Sequence, residues 1–542
     1  MHTYSNASHH ACGSYWDVHL KSKRPAQSAP VRSVVIVGGG TAGWMTAASL
    51  VHRFARLGVS ITVVESSSIG TIGVGEATVP AIRRYFQSLG LNAFEVMKAT
   101  NGTIKLGIEF DGWLHEGHSF MHPFGRYGLE AGPVAFHDIW NRLRQHTQGD
   151  ATIPGTLDEY SMGTQLARAG RVTMPPENPR VDFEHFDWAV HFDASRFATF
   201  LRSFAEARGV RRIDARVAEV LRDGEREHIR GVRLDSGDVL EAALFVDCSG
   251  FHRLLIERSL NTGFVDWRHW LMCDRAVAMP CVAAEDSFTP YTRSRALDAG
   301  WTWRIPLQNR VGNGYVYCSD YISDEQALET LRGQLEGQAL GDPNFVKFRA
   351  GHVRRFWIGN CVAIGLASGF LEPLESTSIS LIQMGIDKLL HFWPDENMAP
   401  EVVAQLSAEY NRLSVTEFER IRDFIILHYS ANGRQSDHGR GELWRYCREM
   451  PLPETLTRKI ALYRARGLIQ QLDSESFFGP SWLCMYGNLG IEAGSWDPLT
   501  NLLPLPELEN VTRRVRDDIA RVARGAAQHR EFLGLAGALA GS

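Results

Sequence analysis

A glycine-rich turn near the start of the chain limits its fold more than any other feature. Ser33-Val34-Val35-Ile36-Val37 is short, apolar and β-branched, and it opens directly onto Gly38-Gly39-Gly40-Thr41-Ala42-Gly43. Such a run fits a buried strand of a parallel sheet. Gly43 to Arg56 reads as the following helix, and Ser60 to Val64 as a second strand that ends at Glu65. In this G-x-G-x-x-G pattern Gly38 allows a tight turn, Gly40 lets the backbone approach a pyrophosphate, and Gly43 lets helix and strand pack closely. The helix start at Thr41 and Ala42 adds amide donors and a partial positive charge. Glu65 lies 22 residues after Gly43, where a ribose-binding carboxylate belongs. The alternative is a turn that binds nothing, and the strand, helix and acid in register weigh against it. The motif does not separate FAD from NAD. Its position at the start of the ordered chain, with discontinuous later segments, favours FAD.

With 542 residues the chain can bury a large core. It carries 57 basic and 62 acidic side chains, a formal net charge of −5, which gives no electrostatic reason for a nucleic-acid partner. The eight cysteines form no C-x-x-C pair, so neither a zinc site nor a dithiol motif is indicated, and reduced thiols in a cytoplasmic protein are expected. No apolar run is long enough to span a bilayer. Residues 1–30 are polar, without the apolar core of a signal peptide, and are expected to be a disordered extension.

Further along, residues 66–150 look loop-rich, with repeated Gly, Pro and His. Asp193 to Ala207 reads as helix, and Leu244 to Asp247 and Cys361 to Gly365 as strands. Residues 265–320 alternate apolar and polar side chains, as an antiparallel sheet does. Ile379, Ile382, Ile386, Leu389 and Trp393 recur at helical spacing, as do positions in Val403 to His428 and Leu508 to Val522. The expected fold class is α/β: a Rossmann-type, flavin-monooxygenase-like FAD module over 31–395 with an inserted antiparallel sheet, then a helical region over 396–542.

Three segments carry a family resemblance. Gly73-Val74-Gly75-Glu76-Ala77-Thr78-Val79-Pro80, Gly300-Trp301-Thr302-Trp303-Arg304-Ile305-Pro306 and Phe370-Leu371-Glu372-Pro373-Leu374-Glu375-Ser376-Thr377 resemble signature segments of the flavin-dependent tryptophan halogenases. Asn101-Gly102-Thr103-Ile104-Lys105, His191-Phe192-Asp193-Ala194 and Asp247-Cys248-Ser249-Gly250-Phe251 are also similar to family text, and the matches run in order from about 32 to 395. The resemblance implies that FADH2 reacts with oxygen to a hydroperoxide, that a halide attacks it to give hypohalous acid, and that this oxidant passes to a separate aromatic site.

On that resemblance Lys105 is the cation that holds the oxidant, and Glu375 is the acid that stabilises and deprotonates the cationic ring intermediate. Read alone, Lys105 fits a surface lysine and Glu375 a helix-capping carboxylate. Amine chemistry at Lys105 requires a pKa depressed by burial. The amides of Thr377 and Ser378, at a helix start, suit a halide. The family carries glycine where this chain has Ser378, which points to an altered halide preference, bromide over chloride. Gly75, Ala77, Gly365 and Leu366 are expected to join Gly38, Gly40, Thr41, Ala42, Gly43 and Glu65 around FAD. Trp301 and Trp303, two apart on one strand face, either wall the flavin from the substrate or are ordinary core aromatics. His122 and Phe124 match a pocket His-x-Phe, or a surface loop.

The family's tyrosine pair and acid, which hold a tryptophan backbone, have no match; Trp482-Leu483-Cys484-Met485-Tyr486-Gly487 stands there instead. The expected substrate is a small electron-rich arene: indole, tryptophan or a peptide-borne indole. No nicotinamide site or metal-ligand set is evident, so a separate NAD(P)H-dependent flavin reductase is expected to deliver FADH2. A homodimer is left open. The rival readings are a single-component FAD-dependent aromatic hydroxylase and a non-catalytic flavin-binding protein.

Overall fold

The apolar run before the glycines forms the centre of a six-stranded sheet. A computed structural model describes residues 31–540 apart from 55, 69–74, 148–153, 225–226, 285–287, 397 and 435–440. The expected extension over 1–30, and Gly73 and Val74, lie outside the described residues. The strand order is Trp357–Ile358, Cys361–Ala363, Leu244–Asp247, Ser33–Val37, Ser60–Glu65, Arg211–Asp214. All neighbours are parallel except the edge hairpin Trp357–Ile358 with Cys361–Ala363. Val34, Val35, Ile36 and Val37 are all buried, as a strand covered on both faces requires.

Helix Thr41–Phe54 follows at once, two residues earlier than its expected start at Gly43, and packs on helices Ala194–Glu206 and Ser378–His391. Asp193 caps Ala194–Glu206: its carboxylate accepts from the amides of Ser195 (3.0 Å) and Arg196 (3.1 Å).

The second sheet has seven strands, in the order Asn344–Lys347, Arg275–Ala278, Val311–Tyr317, Gly300–Pro306, Thr292–Leu297, Gly107–Asp111, Ser119–Pro123. Every pair is antiparallel except Thr292–Leu297 with Gly107–Asp111. The sheet therefore includes two strands from the stretch expected to be loop-rich. That stretch also supplies both edges of a three-stranded sheet, Gly75–Ala77 and Thr103–Lys105, which flank Ala189–Asp193. Strands of three to five residues leave no run long enough for a period-2 pattern, and all but Ser119–Pro123 also take a partner far away in the chain.

The chain beyond 400 is mainly helical, led by Pro400–Ser430 and including Gly479–Asn488 and Leu505–Gly525. The last described segment returns to the three-stranded sheet. His529 Nε2 accepts from the amide of Ile104 (3.1 Å) and Nδ1 donates to the Phe288 carbonyl (3.3 Å), so the C-terminal helix fixes the strand that carries Lys105. No helix among the described residues is long and apolar enough to cross a membrane.

Candidate active site

Lys105 ends its strand fully buried, which excludes the surface-lysine reading. Its Nζ donates to the Thr78 carbonyl (2.9 Å) and to Ser376 Oγ (2.7 Å), and lies 5.3 Å from the centre of the Phe124 ring. Burial lowers the ammonium from 10.5 to about 7, against an upward pull from Glu375. Near neutral pH both the ammonium and the amine are accessible.

Glu375 ends the short turn Pro373–Glu375, and Ser376 follows in the left-handed region at φ 59°. This sharp reversal allows adjacent residues to serve one buried cluster: Ser376 takes the Lys105 ammonium while Glu375 takes two histidines. His122 Nδ1 lies 2.9 and 3.0 Å from the two Glu375 oxygens, and His428 Nε2 lies 2.7 Å from Oε1. Glu375 therefore caps no helix; both its oxygens are held by imidazoles. Burial by itself raises a carboxyl, but the charge and hydrogen bonds of His122 and His428 outweigh it and bring Glu375 to about 2. His428 Nδ1 donates to the Phe424 carbonyl (2.7 Å). Nε2 therefore meets Glu375 Oε1 with a proton between them, since a carbonyl cannot donate and a carboxylate only accepts.

Two aromatic groupings flank this cluster. Trp301 and Trp303 stand with ring centres 6.2 Å apart. Trp301 Nε1 donates to Glu372 Oε2 (3.0 Å), which also accepts from Tyr429 Oη (2.5 Å), and Trp303 occupies the space left by the missing side chain of Gly314. Burial raises Glu372 to about 7. On the other side His122 packs near Phe424 and Phe477, at 5.8 and 6.3 Å between centres. Phe424 and Phe477 stack at 3.9 Å, and Trp482 meets Phe424 edge-on at 5.0 Å. His122 is buried and belongs to this cage, so it is not on a surface loop.

Comparison with known proteins decides the family. The tryptophan halogenase family model matches residues 33–504. The chain belongs to the tryptophan halogenase family. It is 36% identical over 463 residues to the tryptophan 6-halogenase SttH of Streptomyces toxytricini, covering 82% of this chain and 85% of that protein. With the tryptophan 7-halogenase RebH of Lentzea aerocolonigenes it shares 35% identity over 458 residues, 81% and 83% of the two chains. Among solved structures it is similar to BrvH, a flavin-dependent halogenase from Brevundimonas sp. BAL3, with a TM-score of 0.87, 46% identity, and coverage of 94% of this chain and 99% of that one. The chain is thus a flavin-dependent halogenase that uses FADH2 and halide on tryptophan or another indole; the hydroxylase and non-catalytic readings are not favoured.

The halogenase has a backbone cradle that fits FAD. A Cβ at Gly38 would lie 2.1 Å from the Cys248 carbonyl oxygen, and one at Gly43 1.8 Å from the Gly38 carbonyl oxygen, so both glycines are required by close packing. At Gly40 nothing lies within 4 Å of the corresponding position, which leaves room for a diphosphate at the start of helix Thr41–Phe54. Glu65 lies over Gly39, with Oε2 accepting from Trp44 Nε1 (3.2 Å) and Oε1 from Arg212. Gly365, at φ 75°, is pressed against Ala42, so the Gly365–Leu366 turn meets the start of the same helix. Gly75 and Ala77 pair with Asp193 and His191, one strand away from Lys105.

Thr377 and Ser378 open helix Ser378–His391. Their amides have no backbone acceptor among the described residues, and the buried Thr377 Oγ1 has no partner either. An anion fits there. Sequence reasoning missed His428, Phe424, Phe477 and Glu372. His428 follows Phe424 by four residues and so shares its helix face, which reads as core spacing with nothing to mark a partner 53 residues away.

Proposed function

We propose that the halogenase acts on an electron-rich arene that lacks a free amino-acid backbone, either indole itself or an indole carried in a larger molecule, with Lys105 and Glu375 as catalytic residues. The observation behind this is the buried cluster in which Lys105 donates to Ser376 and the preceding Glu375 takes His122 and His428, beside the His122, Phe424, Phe477 and Trp482 cage. The charged groups beside Trp482 support the substrate class. Lys459 lies over the Trp482 ring at 4.0 Å and is already paired with Glu475 at 2.5 Å, and both are buried. That pair leaves no unmatched charge for an ammonium or carboxylate to replace without loss.

Bound FADH2 with oxygen supplies the oxidising equivalent that turns halide into hypohalous acid. The protein does the rest. The amides of Thr377 and Ser378, with the Thr377 hydroxyl, hold the halide, and Trp301 and Trp303 keep substrate away from the cofactor. The Lys105 ammonium donates to the oxygen of hypohalous acid. As the ring carbon bonds to the halogen, the halogen–oxygen bond breaks and the departing hydroxide takes a proton from Lys105, leaving water. Glu375, held as carboxylate, takes the ring proton and later restores Lys105. A weak base suffices, because a halogenated ring cation is a strong acid.

The partner is a separate flavin reductase, the setting cytoplasmic. Separate reactions with tryptophan, indole and an indole-bearing peptide, analysed by mass spectrometry, test the substrate class. Turnover of tryptophan far above the other two would reject it.

A further inference from the structure

The cage contains one polar atom whose partner is missing from the protein. His122 Nδ1 faces both oxygens of Glu375, and a carboxylate that accepts from an imidazole requires the proton on Nδ1. In the neutral ring Nε2, on the far side, is then an acceptor. The side chain is 3% exposed, and Nε2 has no hydrogen-bond partner among the described residues. The rings nearest His122, Phe424 and Phe477, offer it none. A buried acceptor without a donor is costly, and native proteins rarely keep one without a reason.

We infer that His122 Nε2 accepts a hydrogen bond from an N–H or O–H attached to the substrate ring, so that the halogenase selects arenes bearing such a donor. This rests on the arene site proposed above and narrows its substrate class. The Glu375 carboxylate on Nδ1 strengthens Nε2 as an acceptor, in the way a carboxylate orients and polarises a histidine in a catalytic triad. The donor's proton stays on the substrate, and its electrons become more available to the ring. The same contact therefore orients the arene and enriches it at the moment a halogen is added. Glu375 then has two functions: it takes the ring proton, and its charge supports His122.

Three indoles of similar bulk, two of them the isomers 1-methylindole and 3-methylindole, separate this contact from shape. Indole and 3-methylindole keep the ring N–H; 1-methylindole replaces it with a methyl group. Calorimetric titration of the FAD-loaded enzyme should give 1-methylindole about tenfold or more weaker binding than 3-methylindole, the range expected when a polar site meets a ligand lacking its donor. In His122→Phe the ratio should fall to near one, and because it is a ratio within one enzyme, damage to Glu375 cancels. Equal affinities in the wild type, an unchanged ratio in His122→Phe, or binding by none of the three would overturn the inference. If the affinity ratio holds but indole is bound without being halogenated, the arene-halogenation reading fails and the N–H contact stands.

Discussion

Replacing Lys105 by Met tests the electrostatic basis of the site without needing a substrate. Burial lowers Lys105 from 10.5 to about 7. At about 1.4 kcal/mol per unit, that shift is roughly 5 kcal/mol against the charged form in the folded state. The unfolded chain binds the proton more readily, so stability rises with pH between about 7 and 10.5; below 7 the penalty is present in full. Methionine fills similar space and does not titrate. The stability difference, Lys105→Met minus wild type, should therefore be greatest below about pH 7. It should shrink by roughly 3 kcal/mol between about pH 7 and 9. Glu375, near 2, titrates far below this window and does not contribute. Urea unfolding followed by tryptophan fluorescence at several pH values measures the difference. A gap that stays constant across that range would mean an ordinary lysine pKa, and one that widens with pH a shift of the opposite sign; either would refute the reasoning.

Glu372 carries the opposite sign: its carboxyl is raised to about 7, so the wild type loses stability as pH rises from about 4.5 through 7. Glu372→Gln should gain on it by roughly 3 kcal/mol over that range, read by the same urea titrations. His428→Asn removes a donor that holds Glu375 down; the acid limb of the halogenation rate should move to higher pH, and an unmoved limb would deny His428 that role. Ser378→Gly should raise the chloride share of product when chloride and bromide compete, measured by mass spectrometry. An unchanged share would make the hydroxymethyl group silent.

The parts legible in the sequence are those where local pattern and chemistry coincide. The glycine turn, its strand and helix, and the acid at Glu65 follow from the close approaches that Gly38 and Gly43 make. Lys105 and Glu375 were placed by motif resemblance, and their burial and the contact of Lys105 with Ser376, the residue after Glu375, could not be read from spacing. The stretch from 66 to 150 looked like loop because its strands are short and most take distant partners, as Gly107–Asp111 does in Thr292–Leu297. His428 was hidden for a different reason: on the helix it is one more position of an apolar face, and only the turn that presents Glu375 gives it a function.

The central claim is that Lys105 directs a halogen to an arene at a site separate from the flavin. The most direct test is mass spectrometry of indole incubated with enzyme, FAD, a flavin reductase, NADH and bromide, using wild type and Lys105→Ala with equal FAD binding. The account predicts a bromine isotope doublet in the wild type and its loss, by about two orders of magnitude or more, in the variant. Equal product from both proteins, or an oxygen gained in place of bromine, would contradict it.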